Sequence, residues 1–267
     1  MERAREESPW QVYQWEGMKA LLSFMEKVNI KDGLIGMELD VLPVNEYQRY
    51  SKVLGDRLSD ISNIIKKQRM IKSEYEIEKI FAAAVKHDRM FEKVSSVLVP
   101  GMSEIELAAE VEAMSRKQGH QGYIPFRGFN EQIFYGHLMS GDSAAVPSCG
   151  DSPTGGRGIT PIFPQGPSLK KIERNTPVLV DYVGRYSSYL VDETRIYCIG
   201  ELPEKMRKAH AVALKIQKAV TSEAKPGAKA GDLYQLALEI AQKEHFEGNF
   251  MGYAQPVSFV GHGVGLE

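Results

Sequence analysis

Two stretches of this chain repeat one another at a constant spacing, and that duplication limits the possible folds more than any other feature. VPGMSEIELAAEVEAMSRKQGHQG (residues 99–122) lies over KPGAKAGDLYQLALEIAQKEHFEG (residues 225–248), so that Pro100 meets Pro226, Leu107 meets Leu233 and Gly122 meets Gly248. Each copy follows a longer amphipathic stretch, Glu76 to Val97 and Pro203 to Glu223, and each precedes Gly-rich and β-rich sequence. Helices alone can look alike by chance. The shared Pro-Gly start, the equal helix length and the terminal Gly favour duplication instead. Two halves, each a helix pair plus strands, are expected to form an α+β fold and to meet at a cleft.

With 267 residues, 43% of them hydrophobic, the chain can bury the core of one large domain or two smaller ones. Thirty-three Lys plus Arg against thirty-five Asp plus Glu leave a formal charge of -2, without the basic footprint of a nucleic-acid binder. The expected partner is a peptide or small molecule, not nucleic acid. No apolar run approaches the roughly 20 residues of a membrane span, and the start MERAREESPW lacks the apolar segment of a signal peptide, so the expected location is the cytoplasm, off the membrane. Cys149 and Cys198 are too few for a disulfide framework and read as ordinary small residues. Apolar spacing predicts a helix from Trp10 to Asn29, GLIGMELDVLP a strand ending in a turn, and Asn45 to about Leu54 a second helix. Asp60 to Lys72 reads as a polar bridge. A new helix begins at Ser73, where Glu76 completes a capping-box pattern, and the domain boundary is placed near residue 70.

The stretch DYVGRYSSYLVDETR reads as a hairpin with β-formers on both arms. A centre at Tyr186-Ser187 sets Asp181 directly opposite Asp192, where like charges about 5 Å apart are destabilising. Tyr-Ser is a poor two-residue turn, so a wider or bulged loop is also open. Something positive is required between the acids: a cation such as Arg195, a shared proton, or a metal ion. Further on, FVGHGVGLE places His262 between glycines in a β-like run, an arrangement that suits a ligand better than a core histidine. Two carboxylates and an imidazole are a donor set for manganese, cobalt, iron or zinc.

Taken in order and spacing, IKSEYEIEKIFAAAVKHDR, SGDSAAVPS, VLVDYVGRYSSYLVDETRIY and FVGHGVGLE resemble the pita-bread metallopeptidases, from about residue 30 to the last residue. That group comprises methionine aminopeptidases, Xaa-Pro aminopeptidases, prolidases and creatinase. The resemblance implies a duplicated fold cupping two divalent ions (Mn, Co, Zn or Fe), with Asp181 chelating one, Asp192 bridging both and His262 binding the other. It also implies hydrolysis of an N-terminal peptide bond of the Xaa-Pro type by a hydroxide that the two ions activate, in a homodimer. Two glutamate ligands of the family fall beyond the Gly-His-Gly motif, and Glu267 matches neither. The chain therefore reads as a piece of a longer protein: residues 1–70 the remainder of a creatinase-like N-terminal domain, residues 71–267 a peptidase-like domain without its C-terminal strands.

Relatives carry a histidine where this sequence has Ser148, which can hydrogen-bond but cannot exchange protons near pH 7. His137 either replaces it from a neighbouring strand or is a satisfied strand histidine. CGDSPTGGRG (residues 149–158) lacks the phosphate-loop pattern and reads as a surface loop, with Arg157 a candidate for a substrate carboxylate. Tyr135, Tyr182, Tyr186 and Tyr189 read as sheet packing. Two other functions fit the same family: a creatinase-like or lyase-like enzyme on a small non-peptide substrate, and an inactive pita-bread binding module.

Overall fold

The computed structural model describes residues 2–127, 132–148, 152–253, 256–264 and 266. Cys149 and Glu267 lie outside the described residues. The chain divides into two compact units, residues 1–71 together with 127–130, and residues 72–126 together with 131–267. Among the described residues no helix is long and apolar enough to cross a membrane.

The first unit contains α1 (Glu2–Glu7), α2 (Leu21–Lys27), β1 (Ile35–Met37), α3 (Val44–Leu54), β2 (Leu58–Asp60) and α4 (Ser62–Met70). β1 and β2 pair in parallel, Ile35 with Leu58 through Met37 with Asp60. The helix expected from Trp10 to Asn29 shrinks to α2. Gly17 adopts a φ of 91° just ahead of it, and Trp10 and Trp15 remain 81% and 53% exposed. Apolar spacing without a surface to bury against does not sustain a helix. The expected polar bridge is instead largely α4, started by the Asp60 carboxylate, which accepts the Ser62 backbone N–H at 2.9 Å. Arg127 joins this unit through ion pairs of 2.9 Å to both Asp40 and Glu38.

The second unit opens with α5 (Glu74–Val97), capped by Ser73 and Glu76 as the sequence pattern predicts. It continues with α6 (Glu104–Lys117), β3 (Ile124–Pro125), β4 (Gln132–Ile133), β5 (Gly136–Ser140), β6 (Val178–Tyr186), β7 (Tyr189–Tyr197), α7 (Glu204–Glu223) and α8 (Ala230–Lys243). Both ends of α6 and α8 keep the same offset as the repeat. Gly101 and Gly227 precede them with φ of 83° and 91°, and Gly119 and His245 follow them with φ of 96° and 60°. The copies differ at the cap. Ser103 and Glu106 close a capping box on α6, whereas Lys229 stands at the α8 N-cap without a side-chain bond.

β5, β6 and β7 form one antiparallel sheet in that order. Val178, Val180 and Tyr182 of β6 point to the core, against Met90, Phe91 and Val94 of α5 and Leu107 and Val111 of α6. Each such fully buried side chain contributes about 1.5–3 kcal/mol. Val212 and Ile216 of α7 meet Ala237 and Ala241 of α8 in a separate small core. The β6–β7 loop is Ser187-Ser188, with φ of 52° and 69°, and Tyr186 pairs with Tyr189. Two positive φ values in a two-residue loop define a type I′ turn, whose twist matches the flanking strands. The turn thus lies one residue beyond the expected Tyr186-Ser187, because Tyr186 is 1% exposed and belongs to the buried strand face.

Two buried polar groups tie this unit together. Glu104, fully buried at the start of α6, accepts the Ser140 N–H at 2.7 Å, the Ser168 N–H at 3.0 Å, and the hydroxyls of Ser140, Ser143 and Ser168. His120 accepts the Gly122 N–H at Nδ1 (2.9 Å) and donates from Nε2 to the Val183 carbonyl (3.2 Å), so it is the neutral Nε2–H tautomer. Burial pushes its imidazole down to about 4.

Glu104→Ala leaves several buried donors without an acceptor and should lower stability by about 3–5 kcal/mol in urea unfolding, against about 0.5 for exposed Glu110→Ala. Equal effects would refute the role given to Glu104. Ser187→Asn with Ser188→Gly should raise stability by about 1 kcal/mol, since both serines hold backbone that Asn-Gly favours; a loss would refute the turn. The depressed His120 pKa means that the unfolded chain takes up the proton first. Its contribution is fully present above about 6.5 and is lost as pH falls toward about 4. The stability difference between the wild type and His120→Gln should shift by about 3 kcal/mol across that window; a difference flat with pH is the contrary result.

Candidate active site

Alternation along the ladder decides which side chains can meet. On β6 the even-numbered residues face the core, so Asp181 and Val183 face away from it; on β7 their partners are Thr194 and Asp192. Asp181 lies opposite Thr194 and Asp192 opposite Val183. The two acids share a face but stand diagonally, with Cα atoms about 7–8 Å apart, not directly across as the expected turn required. The one-residue displacement of the turn is the whole cause. It moves each partner by two positions and so preserves the face.

β5 adds His137, which pairs with Asp181 on the other side of β6. Gly136 makes this approach possible: with a φ of 150°, a Cβ there would fall 2.1 Å from the Asp181 carbonyl oxygen. His262 arrives from residues 256–264, which form no strand although the sequence there is β-like; strand structure needs a hydrogen-bonded partner. Its Nε2 reaches Asp192 Oδ2 at 3.2 Å and its Nδ1 donates to the Gly263 carbonyl at 2.9 Å.

The electrostatics follow from these contacts. The hydrogen bond to Asp192, helped by the Gly263 carbonyl, lifts the His262 imidazole up to about 9, so both ring nitrogens carry protons at neutral pH. Burial pushes the Asp181 carboxyl up to about 6; the Thr194 hydroxyl, which donates to it, pulls it down, and the Asp192 charge raises it again. Burial holds the His137 imidazole below its ordinary range, against the attraction of Asp192. A carboxylate, a carboxyl of raised pKa, an imidazolium and a neutral imidazole therefore share one neighbourhood.

Arg195 does not clamp the acids. It turns to the opposite face, pairing with Glu193 at 2.8 Å. Ser148 follows the 3-10 turn after β5 and packs where a Cβ on Gly155 would be 2.9 Å from its Cα. Arg157 is held by Asp142 at 3.1 Å. Within the expected surface loop, Gly155 and Gly156 are buried, Gly156 bridging to Gly166 with no room for a Cβ beside the Met139 sulfur. Tyr182 and Tyr186 are core residues, as expected. Sequence reasoning missed Thr194 and Gly136. The correct hairpin register would have shown the first, and nothing in the local sequence marked the second.

Among the described residues, Asp181, Asp192 and His262 are side chains whose donors could hold divalent ions. Their donors are oxygen and nitrogen, and the cation now paired with Asp192 is a protonated imidazole that a metal ion can replace once His262 gives up its Nε2 proton. In that chemical sense the residues fit a metal. Among the described residues, however, no three His, Cys, Asp or Glu side chains already stand in a metal-holding group.

Comparison with known proteins identifies the family. The profile of Metallopeptidase family M24 matches residues 78–267, and that of the Creatinase/Prolidase N-terminal domain matches residues 1–71. The Xaa-Pro dipeptidase of Pyrococcus furiosus is 28% identical over 100% of this chain and 66% of its own length, and that of Pyrococcus horikoshii 27% over the same shares. Among solved structures, the X-Pro aminopeptidase of Thermotoga maritima superposes with a TM-score of 0.78 at 27% identity, covering 99% of this chain and 65% of its own. The prolidase of Pyrococcus horikoshii gives 0.76 at 26% identity, covering 100% and 67%. The chain thus spans about two thirds of the length of the relatives it matches. The fold is the pita-bread fold of these neighbours, and the chain belongs to metallopeptidase family M24.

Proposed function

We propose that the protein is a metal-dependent aminopeptidase or dipeptidase that hydrolyses an N-terminal peptide bond of the Xaa-Pro type. The observation that carries this reading is that Asp181 and Asp192 share one face of the β6–β7 ladder, where His262 pairs with Asp192, while Arg195 is turned away to Glu193. Similarity to Xaa-Pro dipeptidases supports the substrate class.

In this reading Asp181, Asp192 and His262 are the metal ligands contributed by this chain. Two divalent ions of the manganese, cobalt, zinc or iron group supply positive charge that acidifies water and polarises the scissile carbonyl. Asp181 loses its proton on binding, and His262 gives up its Nε2 proton while its Nδ1–H stays on the Gly263 carbonyl, which orients the ring. His137, kept neutral by burial beside Asp181, accepts or returns a proton at a ring nitrogen. Ser148 orients the substrate by hydrogen bonding only. Residues 1–70 act as a creatinase-like N-terminal domain and residues 71–267 as the peptidase domain. The protein works in the cytoplasm as a homodimer, on peptides and not on nucleic acid or membranes.

The complete protein should cleave Xaa-Pro peptides when supplied with manganese or cobalt, and a chelator should abolish the reaction. Asp192→Asn should lower kcat/KM by roughly a hundredfold or more, and His137→Ala by about a hundredfold. An Xaa-Pro panel giving no turnover with any of the four metals would defeat the proposal.

A further inference from the structure

On β5 the odd-numbered residues share the outer face with Asp181, since His137 pairs with Asp181 and Met139 with Leu179. Met139 is nonetheless fully buried. Residues 154–166 cover it: a Cβ on Gly156 would stand 2.6 Å from its sulfur, and the Thr154 hydroxyl lies 3.8 Å from the same atom. Backbone bonds close this loop, from the Gly155 N–H to the Val146 carbonyl (2.9 Å), from Gly166 to Gly155 (2.7 Å) and from Gly158 to Gly166 (3.1 Å). Gly156, Gly158 and Gly166 supply the positive φ it needs, and Pro161 and Pro164 restrict its tip. On this fixed base stand Ile159, Ile162 and Phe163, 51%, 95% and 49% exposed. The Phe163 ring meets Phe134 edge-on at 5.4 Å, and Phe134 meets the His137 ring at 5.8 Å.

A loop so constrained cannot fold its three large apolar side chains out of water, and apolar groups held exposed beside a reacting face mark a surface that is covered on binding. We infer that Ile159, Ile162 and Phe163 form a specificity surface that receives an apolar side chain of the peptide substrate. The base of the loop covers the outer face of β5 at Met139, one alternate position from His137, and its tip stands two ring contacts from that histidine. About three residues of extended peptide span that distance, so a side chain flanking the scissile bond reaches the loop. Because the loop is already ordered, contact with it loses little entropy, and the apolar area it buries favours a large aliphatic side chain over none. This inference rests on the peptidase reading for its substrate, but its first test does not require turnover.

The test follows the Ile162 δ1-methyl resonance of the complete, metal-free protein, assigned with Ile162→Val, while Gly-Pro, Leu-Pro and Gly-Pro-Leu are added in turn. A shift with Leu-Pro and not with Gly-Pro assigns the side chain before the cleaved bond; a shift with Gly-Pro-Leu and not with Gly-Pro assigns one after it; either supports the inference. No shift, or equal shifts with all three, overturns it. A methyl shift that follows protein concentration and ignores the peptides assigns the loop to a second copy, and overturns it as well. In the metal-loaded complete protein, Ile162→Ser should raise KM for the responsive leucine peptide about tenfold, leave kcat and the KM for Gly-Pro unchanged, and be rescued by Ile162→Leu. The substitution is at an almost wholly exposed side chain, so an unchanged melting temperature is expected alongside. A selective methyl response without hydrolysis would uphold this inference and count against the peptidase. Hydrolysis with the leucine preference intact in Ile162→Ser would do the reverse.

Discussion

The arrangement depends on the burial of one face of β6. Val178, Val180, Tyr182 and Tyr186 are all removed from water, and their contact with α5 and α6 leaves the alternate residues no choice of side. Asp181, Val183 and Arg185 are therefore turned away from the core, and the ladder brings Asp192 and Thr194 to the same side. A slip of a single residue would put the acids into hydrocarbon. The acidic face is secured by the apolar one, and the two serines at φ of 52° and 69° accept an unfavourable backbone so that the ladder can close there.

A second constraint comes from polar groups that water does not reach. Glu104 gathers donors from residues 140, 143 and 168, which are distant in sequence, and so ties the end of β5 and the approach to β6 onto the start of α6. His120 performs a similar service for β6 at Val183. Both act next to the sheet whose outer face carries His137, Asp181 and Asp192, so the positions of the site residues are set by groups that take no part in it. The excess negative charge on that face is met by an imidazolium from the far end of the chain, and this is the electrical situation that a divalent ion would take over.

Much of this was readable in advance, for identifiable reasons. The repeat predicted two helix pairs, since matching apolar spacing and Pro-Gly starts are local properties, and α6 and α8 keep that spacing at both ends. The capping box at Ser73 is likewise local. Of the two residues expected to serve catalysis, His137 pairs with Asp181, while Ser148 packs against Gly155. The failures were equally physical. A helix over residues 10–29 was inferred from spacing alone, and α4 was overlooked because its start depends on a contact from the Asp60 side chain.

The sequence by itself determined the helix pairs of the repeat, the capping box at Ser73 and the chemical identity of the donors, because these depend on residues close together in the chain. Tertiary structure alone decided that Asp181 and Asp192 stand diagonally, that Arg195 points away from them, and that His262 reaches Asp192 across about seventy residues. Register and burial are properties of two surfaces in contact, and no single stretch of chain contains them.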